Sequence, residues 1–408
     1  MQNVCKSREG FGSITIASQE ELMKLFKRII LGLLLVLFLT GAFIFFVVMP
    51  GFIHKTVNRV NGGNAIEVST SAMNLHDTLQ IVDLHNDSLL WAYNINQRHT
   101  VGHSDVPRLQ DGGIKVQVYS TVTQSMMEPK ENNTGDSPVL GIQSFAQLQP
   151  PSTWFSSFSR GLYQAEKLLD FEKDSDGALK IIRTRSELES LLKEDNKTIG
   201  VLLAVEGLHA LEGDIKNAKK FFDTGYRIFG LAHFFDNEFA GSSQGMEKHG
   251  LTPLGRDFVA YAASEGIILD LAHTSEATIK DVLALAEGPL IVSHTGVKGV
   301  CNNARNLSDE IIRGIAKQGG VIGIGFWRKA VCEVSPGAIA KSIRYVADLV
   351  GVEYVALGSD YEGSVPTPFD ATGLSQLTQA LLDEGFSGEE IRLIMGGNAI
   401  RVFMETLP

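Results

Sequence analysis

Four histidines and three carboxylates of this chain each end, or directly follow, an apolar, β-branched run. His85 and Asp87 follow QIVDL, Glu206 closes IGVLLAVE, His233 closes YRIFGLAH and His273 closes GIILDLAH. His294 ends PLIVSH and Asp360 ends EYVALGSD. Charge is costly inside such runs, and one histidine there is ordinarily a structural cap. Seven such residues together point to a metal site. Imidazole and carboxylate without thiolate suit zinc or a similar divalent ion in a hydrolase. His85 and Asp87 stand two apart on an extended stretch and so face one side, where both can bind one ion. Glu206 can bridge two ions through its two oxygens, and His273 and His294 can hold the second. Ions sharing a carboxylate also share a water, whose pKa falls towards neutrality. The other histidines (His54, His76, His99, His103, His209, His249) read as stalk, loop or helix-start residues without a role.

Such residues need a frame that gathers strand ends at one place. Eight apolar runs qualify as strands: residues 80–85, 114–120, 199–207, 226–233, 266–273, 289–295, 319–326 and 353–360. Helical stretches such as SELESLLKED, IKNAKKFFDTG, LGRDFVAYAASEG and GAIAKSIRYVADLVG separate most of them. Short strands buried on both faces, with a helix between each pair, imply a parallel sheet. Eight units in this length fit an α/β fold of the (β/α)₈ TIM-barrel type, whose active sites lie at the C-terminal strand ends. Residues 122–160 read as a loop-like insertion. No G-x-G-x-x-G or P-loop follows any strand, so nucleotide binding has no support.

The chain has 408 residues, 44% of them hydrophobic and 20% charged, which excludes wholesale disorder. Its net charge of -11 argues against nucleic acid as a partner. Residues 29–49 carry no charge and only Thr40 as a polar residue. As a helix this segment is about 30 Å long, the thickness of a bilayer core. It reads as an uncleaved signal anchor. Lys6, Arg8, Lys24, Lys27 and Arg28 precede it and Lys55 and Arg59 follow, placing the N-terminus in the cytoplasm and the rest outside it, on the periplasmic side if bacterial. The expected organisation is a cytoplasmic segment 1–28, an anchor 29–49, a stalk 50–75 and a catalytic barrel 76–408.

The motifs VDLHNDSL, AVEGLHAL, LAHFFDNEFAGS, DLAHTS, VSHT followed by NNARNLSDE, LGSDYEG and GGNAIRVF stand in this order. In them the chain resembles the membrane (renal) dipeptidases, binuclear zinc hydrolases related to the amidohydrolase barrels. The resemblance covers roughly residues 78–405; H-x-D on the first strand and glutamate at 206 are its most specific marks. It implies a dipeptidase acting through hydroxide bridging two zinc ions. His85 and Asp87 match ligands of one zinc, Glu206 the bridging ligand, and His273 and His294 ligands of the other. His233 matches a histidine that stabilises the oxyanion. Arg305 matches the arginine that holds the substrate carboxylate, and Asp360 the acid–base residue. Leu208 and Glu362 depart from the pattern, where a small residue and a second aspartate are common.

Expected partners are small dipeptides, the lipid bilayer through residues 29–49 and, as an open alternative, a second copy in a homodimer. Competing readings are a zinc hydrolase of another small amide or lactone, such as an N-acyl amino acid or a β-lactam, and a non-catalytic barrel receptor. Cys301 and Cys332 follow the sixth and seventh runs, so their loops leave the same barrel face. They can form a disulfide in an oxidising compartment or remain two free thiols; the resemblance leans towards the bridge. The sequon at Asn306 is expected to be unmodified, which fits a bacterial source.

Overall fold

A computed structural model of the chain describes residues 18–61, 65–125, 138–194 and 196–408. They fall into two units, one ending at Met49 and the other running from Pro50 to Pro408. In the first, the helix Gln19–Phe43 starts at Ser18, whose hydroxyl accepts from the Glu21 amide, and buries none of its residues. Among the described residues, Gln19–Val57 is the one helix long and apolar enough to cross a membrane or to act as a signal sequence. The apolar stretch 29–49 is therefore the middle of a longer helix that also takes in Lys24, Lys27 and Arg28. Lys6 and Arg8 lie outside the described residues.

Among the described residues, the second unit is built on nine parallel strands. They are β1 (Ile81–Asn86), β2 (Ile114–Val122), β3 (Leu179–Ile181), β4 (Ile199–Glu206) and β5 (Tyr226–Gly230), then β6 (Ile268–Asp270), β7 (Ile291–Thr295), β8 (Val321–Ile324) and β9 (Val355–Leu357). Eight of them close a barrel in the order β1-β2-β4-β5-β6-β7-β8-β9, with β9 paired back to β1. β3 is the strand the sequence reading did not contain. Gly200 and Val201 pair with both β2 and β3, and residues 203–205 pair with both β2 and β5. A strand has two edges, so β3 occupies the start of the β4 edge that β5 joins further on.

All residues of the eight barrel strands are buried, which is why their runs show no polar alternation. Successive residues instead serve two apolar clusters. Val82, Leu84, Val116, Val118, Leu202 and Ala204 pack with Val402 and Phe403 of the helix Asn398–Thr406. Val201, Leu203 and Val205 belong with Phe221, Phe258 and Ile315 from the flanking helices. Several of those helices stop at a left-handed or otherwise positive-φ glycine, as at Gly225, Gly266 and Gly351.

Two segments differ from expectation. The stretch 122–160 contains the helix Val139–Ala146 and the start of Ser157–Lys173; residues 126–137 lie outside the described ones. Residues 50–61, read as part of a stalk, are bonded to the barrel's last loop. Val60 bridges Thr367, the Asn61 amide donates to the Thr367 carbonyl, and Asn58 Oδ1 accepts from the Ser364 amide.

Gly358 follows β9 and leads into Asp360. A Cβ there would overlap the Ser293 carbonyl oxygen, a backbone atom that cannot move aside. Gly358→Ala is expected to destabilise the barrel by about 3 kcal/mol, the upper range for overpacking, read as a lowered denaturation midpoint with an unchanged slope.

Candidate metal centre

The strands bring the seven strand-end residues into one buried cluster. His85 lies in β1 and Asp87 just after it, Glu206 ends β4, and His294 lies in β7. His233, His273 and Asp360 each stand three residues beyond β5, β6 and β9. His273 and Asp360 have left-handed backbones, φ 60° in both, a conformation non-glycine residues hold where surrounding bonds impose it.

Those bonds come from two buried aspartates inside strands. Asp83 Oδ1 accepts from the Ser359 amide at 2.7 Å and Oδ2 from the Ser359 hydroxyl at 2.6 Å, fixing the residue before Asp360. Asp270 Oδ1 accepts from the amides of Ala272 (3.0 Å) and Ser293 (2.8 Å), the residues before His273 and His294. Ser242 joins the two remaining loops, donating to the His233 carbonyl at 2.5 Å and the His273 carbonyl at 3.3 Å. The sequence reading missed all three residues. The signal for two of them was present as D-L-H and D-L-A-H, an aspartate inside an apolar run just before the ligand-type histidine.

Glu206 is the hub. Its Oε1 lies 3.2 Å from His273 Nε2, 3.5 Å from His294 Nε2 and 3.7 Å from His85 Nε2, while Oε2 lies 3.4 Å from His233 Nε2. His85 Nε2 is also 3.3 Å from Asp87 Oδ1. Three groups have ligand atoms close enough to share an ion: His85–Glu206–His294, Glu206–His233–His273 and His85–Asp87–Asp360. The Nε2 atoms of His273 and His294 are only 2.9 Å apart. Two neutral imidazoles can meet so only if one donates to the other or both lone pairs point at a cation. The donor set is nitrogen and oxygen, buried, and partly orphaned: His85 Nε2 and Asp87 Oδ1 have no hydrogen-bond partner. These residues fit one or more divalent cations.

Outer contacts orient the rings. The Ser293 hydroxyl is 2.9 Å from His294 Nδ1 and 3.4 Å from His85 Nδ1, turning both Nε2 atoms inward. His233 Nδ1 is 3.2 Å from the Gln124 carbonyl, which can only accept. Nδ1 therefore carries a proton, and Nε2 of the neutral ring presents a lone pair.

Burial pushes three of the imidazoles and two of the carboxyls towards neutrality, and His85 is the exception. Burial, then the neighbouring His85, lowers His294; burial and Arg305 lower His273; burial and His209 lower His233. Burial raises Glu206 well above the usual carboxylate range, and burial with Asp87 pushes Asp360 up to about 8, although His85 opposes both shifts. Burial would lower His85, but Asp87 and Glu206 outweigh it and bring it up to about 10.

Arg305 is buried on the loop after β7. Its Nη2 donates to the His294 carbonyl at 2.6 Å and its Nη1 to Thr295 Oγ1 at 3.3 Å, while Nε has no partner. Burial lowers its pKa to about 10, against the pull of Asp360 and Glu206. Cys301 and Cys332 form a disulfide, with Cα atoms 5.3 Å apart. Asn306 is buried, and its amide donates to the carbonyls of Cys301, Lys329 and Ala330, leaving no room for a glycan.

Histidines read as having no role include three that touch this region. His209 lines a cavity of about 620 Å3 with Gln124, Trp154, Arg160, Phe235 and Asp236. That cavity adjoins the cluster where Gln124 meets His233. His54 and His103 contact Glu362, two residues beyond Asp360.

A closed parallel barrel whose strand ends gather a buried nitrogen–oxygen donor set has the architecture of a metal-dependent barrel enzyme. Residues 69–407 match the family model of the membrane dipeptidases, peptidase family M19, and the chain belongs to that metallo-dipeptidase family. Among curated relatives, dipeptidase aclJ of Aspergillus oryzae is 27% identical over 343 residues, covering 79% of this chain and 77% of the relative. An uncharacterised Schizosaccharomyces pombe dipeptidase, C3A11.10c, is 26% identical over 349 residues, 80% of each chain. Among solved structures, the fold is similar to a Rhodobacter sphaeroides metallopeptidase liganded with a phosphinate mimic of the dipeptide L-Ala-D-Ala (TM-score 0.68, 24% identity, 81% of this chain and 100% of that one). It is also similar to the probable dipeptidase PvdM of Pseudomonas aeruginosa (TM-score 0.71, 18% identity, 83% and 98%).

Glu206→Ala removes the carboxylate shared by four imidazoles. It is expected to cost more than half of the divalent metal retained by full-length protein through gel filtration, measured by elemental analysis.

Proposed function

We propose that the chain is a membrane-anchored dipeptidase holding two zinc ions. His85 and Asp87 bind one, His273 and His294 the other, and Glu206 bridges them. The observation that carries this reading is the placement of Glu206, whose Oε1 faces the Nε2 atoms of His85, His273 and His294 together. Zinc held there supplies Lewis acidity, lowering the pKa of water towards neutrality and polarising the scissile carbonyl. The dipeptide mimic in the Rhodobacter relative supports a small peptide as the substrate class.

The chain's own residues then divide the work. Asp360 takes the proton lost by water as its oxygen bonds to the carbonyl carbon, and returns it to the amine as the C–N bond breaks. A carboxyl raised by burial suits that exchange near neutral pH, and bound cations at Asp87 and Glu206 offset part of the rise. His233 faces the oxygen that gains charge. Its ring is neutral in the resting site, with the Nδ1 proton donated to the Gln124 carbonyl, so it stabilises the oxyanion only on taking up a second proton at Nε2, which the developing negative charge favours. Arg305 pairs the free carboxylate next to the scissile bond while remaining tied to the His294 carbonyl. The apolar residues 29–49 anchor the enzyme with its barrel outside the cytoplasm, and the Cys301–Cys332 bridge fits an oxidising compartment.

Two substitutions test the assignment. Asp360→Asn is expected to keep the metal and to lower kcat by about 10²–10⁴-fold on dipeptides; near-normal turnover removes Asp360 from the mechanism. Arg305→Ala is expected to raise KM strongly for dipeptides and to change little for the corresponding dipeptide amides. Equal losses on both, accompanied by lost metal, would make Arg305 only a support for His294. The same panel, extended to N-acyl amino acids and β-lactams, separates a dipeptidase from a broader amide hydrolase.

A further inference from the structure

We propose that His54, on the helix Met49–Val57 next to the apolar segment, is a positioning residue for the reaction: through Glu362 it holds the turn that presents Asp360. This rests on the acid–base role proposed above for Asp360. Glu362 is fully buried, and segments far apart in sequence meet on it. Its Oε2 accepts from His54 Nε2 at 2.5 Å, and its Oε1 accepts from the amides of His103 at 2.5 Å and Ser104 at 2.9 Å. Its carbonyl accepts from Trp91 Nε1 at 2.8 Å. The His54 ring is itself fixed, stacked on Tyr93 at 5.1 Å and 4.9 Å from the Trp91 ring.

The turn needs such support. Asp360, Glu362 and Ser364 all have left-handed backbones, with φ of 60°, 66° and 63°. Side chains bearing a Cβ hold this conformation where outside bonds impose it. Asp83 holds the near end through Ser359. The far end is held by residues 54–61: His54 on Glu362, Asn58 on Ser364 at 2.8 Å, and Arg59 and Asn61 on either side of Thr367. The same turn reaches the metal site, since the Tyr361 carbonyl accepts from the Asp87 amide at 2.9 Å. The segment that follows the anchor is thus part of the active-site frame. A glutamate at 362 is long enough to bond His54 on one oxygen and the His103–Ser104 backbone on the other.

The test uses full-length, metal-loaded protein in detergent. His54→Ala is expected to lower kcat about tenfold, short of the hundredfold a 1 Å misplacement can cost, with KM changed less than about twofold and metal content unchanged. His54→Gln, whose amide can donate to the same carboxylate, is expected to recover at least half of kcat. Glu362→Gln is expected to lower kcat as His54→Ala does, and Lys55→Ala, exposed on the same helix, to leave it unchanged. An unaltered kcat in His54→Ala overturns the inference. So does a loss that glutamine fails to rescue and that tracks a lowered melting temperature. If Asp360→Asn is inactive while His54→Ala is normal, only this inference fails; if Asp360→Asn is normal, the reading beneath it fails.

Discussion

Glu206 is buried with the Nε2 atoms of four histidines 3.2–3.7 Å from its two oxygens, and the carboxyls of Asp87 and Asp360 share the same enclosed space. Taking a carboxylate out of water costs several kcal/mol even after relaxation, so three of them cannot stay ionised there unaided. Protons alone give a poor solution: burial pushes Glu206 and Asp360 up and three of the imidazoles down, which leaves neutral lone pairs crowding one another. Divalent cations resolve both problems, pairing with the carboxylates and accepting the lone pairs. The cluster therefore calls for divalent cations, and the rest of the fold must hold its members in place for them.

That requirement explains where the barrel spends its buried polar groups. Asp83 and Asp270 sit inside strands, places where a carboxylate is normally excluded, and each ties the backbone of the next strand end to its own. The hydroxyls of Ser242 and Ser293 do the same between loops and rings. Bonds from one strand to the next pass the rigidity of the sheet on to residues that lie three positions beyond it.

The positions of the strand-end residues were legible because burial leaves a mark in sequence. A histidine or carboxylate ending a run such as YRIFGLAH or EYVALGSD is expensive, and seven of them in register with eight runs left little else to read. β3 was not legible, since three residues paired along part of one edge leave no periodic pattern. Asp83 and Asp270 were present in plain view but were read as strand content, because a positioning role depends on which neighbour the strand meets. His54 and His103 were beyond sequence reasoning for a simpler reason: their common partner Glu362 lies 308 and 259 residues away. Contacts of that span follow from barrel closure, not from any local rule.

The loop carrying Arg305 is tied to the frame at several points, and the substrate role proposed for it draws on those ties. Its guanidinium already donates to the His294 carbonyl and Thr295, so it is pinned before any substrate arrives and loses little freedom on pairing a carboxylate. Asn306 next to it gives its amide to three carbonyls, two of them at Lys329 and Ala330 after β8. The Cys301–Cys332 bridge joins the same two loops covalently. Arg305 keeps its unpartnered Nε and one further N–H on each of Nη1 and Nη2 to donate. An arginine buried without a carboxylate partner would be costly if it were only structural. Asp360 and Glu206 pull on it through space, but burial outweighs that pull and presses both carboxyls towards the neutral form. On the role proposed above for Arg305, a substrate carboxylate would be the anion that this guanidinium lacks.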